Sequence, residues 1–567
     1  MTLPAYETLD TDVLILGSGG AGLCAALHLA EAALAPRVTL VVKGLFGKSG
    51  CTRMVQGGYN VVLRQPDSLA AHFRDTVEGG GWINDQELAW LLVSEAPGRV
   101  LELENRVGCF FDRNPDGTVH QKPFAGQTFD RTVHKGDLTG IEIVNRLAEQ
   151  VAATENTVIL EEMRAVELLR DPSGGRIAGA LVVDQRSGKF IAVRARATLL
   201  ATGGGPTMYR IAAPCHDKTC DGIAMARRAG ALLMDMEMVQ FHPTGLMAAD
   251  SQITGTVLEE GLRGAGAYLL NGEGERYMQR YDPRGERATR DVVSRAGYME
   301  IMAGRGTPEG GVWLDISHLG ADFVTENFRG MTLRCRDVGY DLARAPVLVS
   351  PTAHFLMGGV VIDTQCRTGL AGLFAAGEDA AGVHSANRLG GNGVAESTVF
   401  GGLAGDVIAQ TLTELPPASI DPVQIEHAMA KCLAPFARKE AGTVYPLLAG
   451  LRELMWGKAG LVRDEAGLAE ARSGLAELRD SWARSGVSGG PAFNLAWMDY
   501  LNLENLLDVC DAIVVSALAR RESRGSHYRA DFPEPDSGGL YNLVLGPEGE
   551  PASRPVAFPR LRPGEPA

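Results

Sequence analysis

The sequence predicts an α/β fold in which a Rossmann-like nucleotide-binding domain carries an inserted α+β capping domain and is followed by a C-terminal helical bundle. Three observations predict this class. A glycine-rich turn joins an apolar strand to an Ala/Leu-rich helix near residue 17, similar strand–turn segments recur far along the chain, and residues 416–530 have apolar positions at the three- and four-residue spacing of helices.

The first element is a strand, a turn and a helix of the kind that binds dinucleotides. Residues 13–16 form an apolar run, and the next six, GSGGAG, satisfy the GxGxxG pattern just before the helix. Bare backbone N–H groups can approach a pyrophosphate there. The second strand is expected at residues 38–42. The acidic ribose ligand that is usual at its end is missing, because Val42 and Lys43 stand there.

Two later segments predict further strands of the same sheet. ATLLATGGG at 197–205 and GLFAAGEDA at 372–380 each have a strand pattern that runs into glycine. Between them the chain becomes mixed and charged, which predicts an inserted domain. The expected divisions are residues 1–237 and 351–415 for the nucleotide-binding domain, 238–350 for the capping domain, 416–535 for the helical domain and 536–567 for an extended tail.

The composition excludes several classes of function. A chain of 567 residues, 45% hydrophobic and 22% charged, is typical of a compact protein with two or three units. Its net charge of −15 argues against nucleic-acid binding. The nine cysteines form no CxxC pair, so no iron–sulfur cluster is expected in this chain. No signal peptide and no apolar run of about 20 residues is found, which predicts a cytoplasmic protein without direct membrane insertion.

The motif content favours FAD as the cofactor. An enzyme that also binds a nicotinamide cofactor would more often carry two dinucleotide motifs, and only one is present. Glu378 follows an apolar strand and could bond the ribityl chain. Asn392, Gly393 and Val394 follow a glycine pair and open a predicted helix, whose positive end could face the flavin pyrimidine.

A longer series of motifs runs through nearly the whole chain. In order, these are GSGGAG, VQGGYN, ATGGG, CDGIAMA, QFHPTGL, EEGLRG, TRDVVSRA, HFLMGG, AAGE, NRLGGNGVAESTVFGG and SRGSHYRADFP. Together they resemble the flavoprotein subunits of succinate dehydrogenase and fumarate reductase, a family that has L-aspartate oxidase as a soluble relative. The resemblance implies an oxidoreductase that moves a hydride between FAD and a small carboxylate.

The resemblance also implies site residues. Arg290 resembles the family's proton carrier, an acid in fumarate reduction and a base in succinate oxidation, with Glu260 and Arg263 as its relay. Such a relay is needed because the pKa of arginine lies above about 12. The predicted substrate-binding residues are His242, His354, Arg388, Glu259 and Phe124. The predicted cofactor-binding residues are Gly17, Gly19, Gly20, Gly22, Lys43, Ser49, Thr52, Gln56, Gly57, Gly58, Ala201, Thr202, Gly203, Asp221, Glu378, Gly393 and Val394.

Two residues depart from the family pattern. Cys51 stands where the membrane complexes of the family have a histidine that carries covalent FAD, so histidyl attachment is excluded and non-covalent FAD is predicted. Glu259 stands where the family commonly has a threonine that bonds a substrate carboxylate. A carboxylate at that position would repel another. Either Glu259 turns away or is protonated, or the substrate presents an amine, a hydroxyl or a neutral group to it.

Three hypotheses about function remain at this point. The first is a fumarate-reductase-like enzyme. The absence of a histidyl link favours either such a reductase or an oxidase that is reoxidised by oxygen. The second is an L-aspartate oxidase or a related amino or hydroxy acid oxidase. The third is an electron-transfer subunit that docks an iron–sulfur protein through its C-terminal helices, and any association with the inner membrane is expected through such a partner.

Overall fold

A seven-stranded sheet lies at the centre of the computed structural model, which describes residues 3–249, 251–438, 443–536, 538–547 and 549–565. In spatial order its main strands are Thr157–Glu161, Val38–Val42, Glu7–Leu16, Phe190–Leu200, Ile177–Asp184 and Met163–Arg170. The seventh strand, Leu373–Ala375, pairs with the end of Phe190–Leu200. The second strand has its predicted bounds, whereas the first begins six residues before the apolar run, at Glu7.

The parallel part of this sheet brings distant glycine turns together. The strands that end at Leu16, Val42, Leu200 and Ala375 are mutually parallel in the sheet. Parallel strands end at one common edge, so the four turns that follow them meet there. The prediction that strands from distant parts of the sequence join one sheet is confirmed. Val38–Val42 is buried along its whole length, as expected for a parallel strand covered on both faces.

Six α-helices belong to the part of the chain that forms this sheet. They are Gly20–Glu31, Leu69–Gly79, Gln86–Glu102, Thr139–Ala152, Asp221–Arg228 and Asn392–Thr411. The first and last of these pack against each other at very short range, because a Cβ at Gly401 would lie 2.4 Å from the carbonyl oxygen of Ala21. Both helices begin at the edge where the glycine turns meet.

A second unit has its own sheet and its own core. The antiparallel sheet has the order Val239–Leu246, Val347–Leu356, Val312–Asp315 and Tyr268–Leu270. Its helices are Gly261–Ala265, Arg290–Glu300, Ala321–Asn327 and Arg329–Arg336. Its side chains form a hydrophobic cluster separate from the main core, with Leu262, Val293 and Met331 among its fully buried members. This is the α+β unit expected of the capping domain, while the exact division at residues 238–350 stays a prediction.

The C-terminal part is helical, as predicted. Its helices are Pro422–Leu433, Val444–Lys458, Glu465–Arg484 and Leu495–Ala519. The last of these is largely buried, and its fully buried Trp497 belongs to the same hydrophobic core as the central sheet. The helices therefore pack on the nucleotide-binding domain and do not form a detached module.

Two small sheets complete the described chain. Tyr541–Leu545 pairs with Ala552–Pro555 and with Leu233–Met234, which also pairs with Gly359–Val360. The tail thus returns to the body of the protein as an added pair of strands.

The other small sheet is formed by Tyr59–Asn60, Thr132–Val133 and Gln121–Lys122. In the described ranges, no helix combines the length and the apolar character needed to cross a bilayer.

Candidate active site

A deep crevice runs from the glycine turns of the sheet to the capping domain. Of the predicted cofactor-binding residues, all but Gly22 line it. These are Gly17, Gly19, Gly20, Lys43, Ser49, Thr52, Gln56, Gly57, Gly58, Ala201, Thr202, Gly203, Asp221, Glu378, Gly393 and Val394. Gly22 lies behind the crevice wall, where a Cβ would be 1.9 Å from the carbonyl oxygen of Gly17. Its role is close packing of the helix on the turn.

Glycine residues without side chains form the end of the crevice at the first turn. Gly17 has φ +109°, and a Cβ there would lie 2.2 Å from the carbonyl oxygen of Ala201. Gly20 opens its helix with its N–H donating to the hydroxyl of Thr52 at 3.0 Å. The Oε1 atom of Gln56 is buried in the crevice wall without a hydrogen-bond partner among the described residues. A cradle of glycines with an unsatisfied acceptor fits a dinucleotide such as FAD.

Lys43 and Asp221 are joined by a hydrogen-bonded ion pair at the edge of this cradle. The Lys43 ammonium donates to Asp221 at 2.9 Å and to Asn502 at 2.8 Å. Burial alone would raise the pKa of Asp221, but Arg164 and Lys43 together hold it far below its usual value. Through Asn502 the pair also ties the buried C-terminal helix to the crevice.

Glu378 is held by groups of the protein itself. Its Oε1 accepts from the backbone N–H groups of Gly205, at 2.9 Å, and Leu356, at 3.1 Å. Its Oε2 pairs with the ammonium of Lys218, which also lines the crevice. Lys218 was not predicted as a site residue, because it belongs to none of the sequence motifs.

The predicted proton carrier and its relay form one buried cluster in the capping domain. Arg290 begins the helix Arg290–Glu300 and donates from Nε at 2.8 Å and from Nη2 at 2.6 Å to Oε2 of Glu260. The other oxygen of Glu260 accepts from Arg263 at 3.2 Å. Glu260 therefore bridges the two guanidinium groups, as the spacing of EEGLRG predicts for a helix that begins at Gly261.

Electrostatics keeps this cluster charged. Burial would raise the pKa of Glu260, but Arg290 and Arg263 lower it below its usual value. Burial lowers the pKa of Arg388, and the nearby charge of Arg290 lowers it further, to about 9. Arg388 and Arg290 both donate to the side-chain oxygen of Gln240, at 3.0 and 3.2 Å. Gln240 is thus an unpredicted residue that sets the two cationic groups side by side.

The two predicted histidines are neutral. Burial, followed by Arg290 for His242 and by Arg388 for His354, holds the pKa of each ring well below its usual value. The ring centroids lie 5.5 Å apart. Nδ1 of His242 accepts from the backbone N–H of Thr244 at 3.3 Å, so the network assigns the ring proton to Nε2. That Nε2 is buried without a partner among the described residues, which leaves one donor for a ligand.

Glu259 forms an ion pair with Lys122, a residue that was not predicted from the sequence. Lys122 lies 3.2 Å from both carboxylate oxygens of Glu259. Burial raises the pKa of Glu259, and Lys122 opposes the rise. The Lys122 ammonium also lies 5.9 Å from the ring centroid of Phe124, which lines the crevice as Glu259 does. Phe124 and Glu259 line the crevice together with Arg290, Arg388 and His354, whereas Lys122 lies behind Glu259.

Cys51 also lines the crevice, close to the glycine cradle. Within the described ranges, no group of three or more His, Cys, Asp or Glu side chains is arranged to hold a metal ion.

Comparison with known proteins gives matches over nearly the whole length. Residues 12–394 match a family model described as FAD binding domain, and residues 449–545 match one described as Fumarate reductase flavoprotein C-term. A fumarate reductase (CoM/CoB) polypeptide from Methanothermobacter marburgensis is 44% identical over 551 residues, covering 96% of this chain and 98% of the relative.

Two further proteins are similar over comparable lengths. An L-aspartate oxidase from Synechocystis is 34% identical over 546 residues, which cover 92% of this chain and 94% of the relative. A solved structure of E. coli quinol fumarate reductase has a TM-score of 0.92 at 30% sequence identity, and the match covers 99% of each chain.

Proposed function

The chain belongs to the family of FAD-dependent fumarate reductase and succinate dehydrogenase flavoproteins, and on that premise we propose that it reduces the double bond of a small unsaturated dicarboxylate such as fumarate. The observation that carries this proposal is the buried Glu260 bridge between Arg290 and Arg263. Arg290 lines the crevice together with Arg388 and His354, and His242 lies behind the lining with its ring centroid 5.5 Å from that of His354.

The cofactor is FAD, and we propose that it is bound without a covalent link to Cys51. The glycine turn at residues 17–20 would hold the pyrophosphate, and the start of the helix Asn392–Thr411 also lines the crevice through Gly393 and Val394. Bound FAD supplies the two electrons that a carbon–carbon double bond needs. All other tasks fall to side chains of this protein.

The cationic side chains hold the substrate. Arg388 can bind one carboxylate through a bidentate pair of hydrogen bonds. The Nε2–H of His242, which has no partner among the described residues, can donate to a carboxylate oxygen. These groups attract an anion into a protein whose overall charge is −15. Because the histidines are neutral, they donate hydrogen bonds and take no part in the charge balance.

Arg290 moves the proton. Its Nη1 has one protein acceptor, Gln240, whereas Nε and Nη2 are both held by Glu260. The guanidinium is thereby fixed at one angle with an N–H group that can turn to the substrate. After a proton leaves Arg290, Glu260 and Arg263 stand in hydrogen-bond contact to restore it.

The Lys122–Glu259 pair supports a dicarboxylate over an amino acid as substrate. A free carboxylate at position 259 would favour a substrate ammonium, as in aspartate oxidation. Because Lys122 neutralises that carboxylate, no cation is required of the substrate at this point. The pair thereby removes the main objection to fumarate.

The electron donor is a separate question. We propose that a partner protein, such as an iron–sulfur protein, delivers electrons to the cofactor. Copurification of a cysteine-rich iron–sulfur protein with this chain would support that proposal. Full fumarate reduction by the isolated chain with the native electron donor, in the absence of any partner protein, would contradict it.

The test of the main function uses two assays on the purified FAD-loaded enzyme. With a reduced viologen dye and fumarate under nitrogen, we expect dye oxidation and one succinate per two electrons. With aspartate in air, we expect no hydrogen peroxide. Peroxide from aspartate together with inactivity on fumarate would establish the oxidase hypothesis instead.

A further inference from the structure

Two of the nine cysteines differ from the rest. Cys51 and Cys215 are partly exposed, whereas the other seven are buried. These two also face each other, with their Sγ atoms 3.7 Å apart across 164 residues of sequence. The two thiols that are not fully buried are therefore adjacent.

The pair lies beside the cofactor crevice. Cys51 lines it directly, and Cys215 lies in a loop whose neighbouring residues Pro214 and Lys218 line it. Lys218 is held near the pair by its ion pair with Glu378. The Lys218 ammonium favours a thiolate at Cys51, and the Glu378 carboxylate that is paired with it opposes this effect.

The two thiols are not equivalent. The hydrogen bond between the two thiols lowers the pKa of the Cys51 thiol, and Lys218 adds to this, whereas burial and Glu378 oppose it. The same hydrogen bond, together with burial, raises the pKa of Cys215. Cys51 also lines the crevice whereas Cys215 does not, so Cys51 is the thiol that meets a disulfide there first and Cys215 is the one that resolves the mixed disulfide.

Both cysteines lie in irregular segments of the backbone. A disulfide needs an Sγ–Sγ distance of about 2.05 Å, so the sulfurs must approach by about 1.7 Å. Gly50 precedes Cys51 with φ +88°, and no atom lies within 4 Å of the place where its Cβ would be. Cys215 starts a turn in which its carbonyl accepts from the N–H of Lys218 at 3.1 Å. Neither cysteine lies within a regular strand or a long helix.

We propose that Cys51 and Cys215 form a thiol–disulfide exchange site for small disulfides in the wall of the cofactor crevice. Cys51 attacks one sulfur of a disulfide RSSR, whose S–S bond breaks, and the first RS⁻ takes up the Cys51 proton. Cys215 then attacks Sγ of Cys51 in the mixed disulfide, and its proton goes to the second RS⁻. Two electrons pass from the protein to RSSR, which leaves as two RSH, and the protein retains one Cys51–Cys215 disulfide.

The experiment maps disulfides in the FAD-loaded enzyme after exposure to glutathione disulfide. The enzyme is first reduced, freed of reductant, exposed, alkylated and digested. Mass spectrometry should find the peptide of Cys51 joined to that of Cys215. In Cys215→Ser the reaction should stop at glutathione bound to Cys51, because the second thiol is missing. In Cys51→Ser, glutathione should reach Cys215 about tenfold more slowly.

A matched control and a second measurement keep the result clear. Cys335→Ser removes a buried thiol of the capping domain and should leave the cross-link unchanged. Flavin absorbance shows whether each variant retains its fold. The second measurement needs no variant. In the unsubstituted enzyme, limiting iodoacetamide should label Cys51 about tenfold faster than Cys215. Absence of the Cys51–Cys215 cross-link, or equal labelling of the two thiols, would overturn the proposal.

Discussion

Arg290 is the residue on which the proposed reaction depends. Two of its nitrogens are fixed by Glu260, and the third is shared with Gln240, so the guanidinium has one orientation in the crevice. Lysine carries a similar charge, but it cannot form this fork with a carboxylate. The geometry of the proton carrier, more than its charge, is therefore expected to matter.

Replacement of Arg290 by lysine tests that expectation. We predict that Arg290→Lys lowers kcat for fumarate reduction by about 10³-fold and leaves the FAD content unchanged. Steady-state rates and flavin absorbance measure the two effects. Arg295→Lys is the matched control on the same helix, because Arg295 lies over the ring of Tyr528, 4.8 Å from its centroid, outside the crevice. Turnover near the normal rate in Arg290→Lys would refute its assigned role.

The Lys122–Glu259 pair is the residue-scale feature that sets substrate charge. Removal of Lys122 leaves a buried carboxylate that repels the substrate or takes up a proton. We predict that Lys122→Met raises KM for fumarate about tenfold and that the double variant Lys122→Met, Glu259→Gln returns it to within about threefold. Lys135→Met, at a lysine with 44% side-chain exposure, is the control. An unchanged KM in Lys122→Met would exclude the pair from substrate recognition.

Among the elements of the fold, the first strand and its glycine turn were the most predictable. The apolar run at residues 13–16 and the GxGxxG spacing are local signals, and local signals determine a turn. The Lys122–Glu259 pair had no such signal, because it joins residues 137 apart in sequence. Lys122 lies in a two-residue strand, Gln121–Lys122, too short to produce a periodic pattern. Gln240 and Lys218 were missed for the same reason, since their partners are brought to them only by the tertiary fold.

The turn at Gly17 gives an element-scale test. An added Cβ there would collide with the backbone of Ala201 as well as strain the positive φ. We predict that Gly17→Ala destabilises the protein by more than about 3 kcal/mol and abolishes FAD binding. Gly117 has φ +84° and open space around its Cβ position, so Gly117→Ala isolates the φ effect and should cost about 1 kcal/mol. Thermal unfolding measures both, and equal losses would contradict the argument.

The start of the helix Asn392–Thr411 gives a prediction about pH. His72 contacts Oδ1 of Asn392 at 3.1 Å, and burial together with Arg131 lowers its pKa to about 3. In the unfolded chain its pKa is about 6.5, so protons bind the unfolded state preferentially below that pH. Above pH 6.5 the neutral His72 ring therefore does not reduce the free energy of unfolding. As the pH falls from 6.5 towards 3, the free energy of unfolding decreases.

Replacement of this ring by a neutral amide isolates its effect. We predict that His72→Gln reduces the loss of unfolding free energy between pH 8 and pH 5 by about 2 kcal/mol. Urea unfolding at the two pH values measures it. His318→Gln, at an exposed histidine, should leave the loss as it is. An equal pH dependence in His72→Gln and the unsubstituted protein would contradict the assignment.

At the scale of the whole molecule, the crevice exists only because two units meet. The nucleotide-binding domain supplies the glycine cradle, and the capping domain supplies Arg290 and Glu259. The acidic surface implied by a net charge of −15 contrasts with the cationic groups gathered inside. This arrangement gathers cationic side chains at the crevice, where an anion must bind.

The most direct test of the account follows the bound flavin itself. The enzyme is reduced with dithionite under nitrogen, freed of excess reductant and mixed rapidly with fumarate. We expect the absorbance of oxidised flavin to return within the time of turnover and one succinate to form per flavin. Succinate added instead of fumarate should restore no absorbance. Flavin that stays reduced in the presence of fumarate, yet is reoxidised at once by air, would contradict the proposed function.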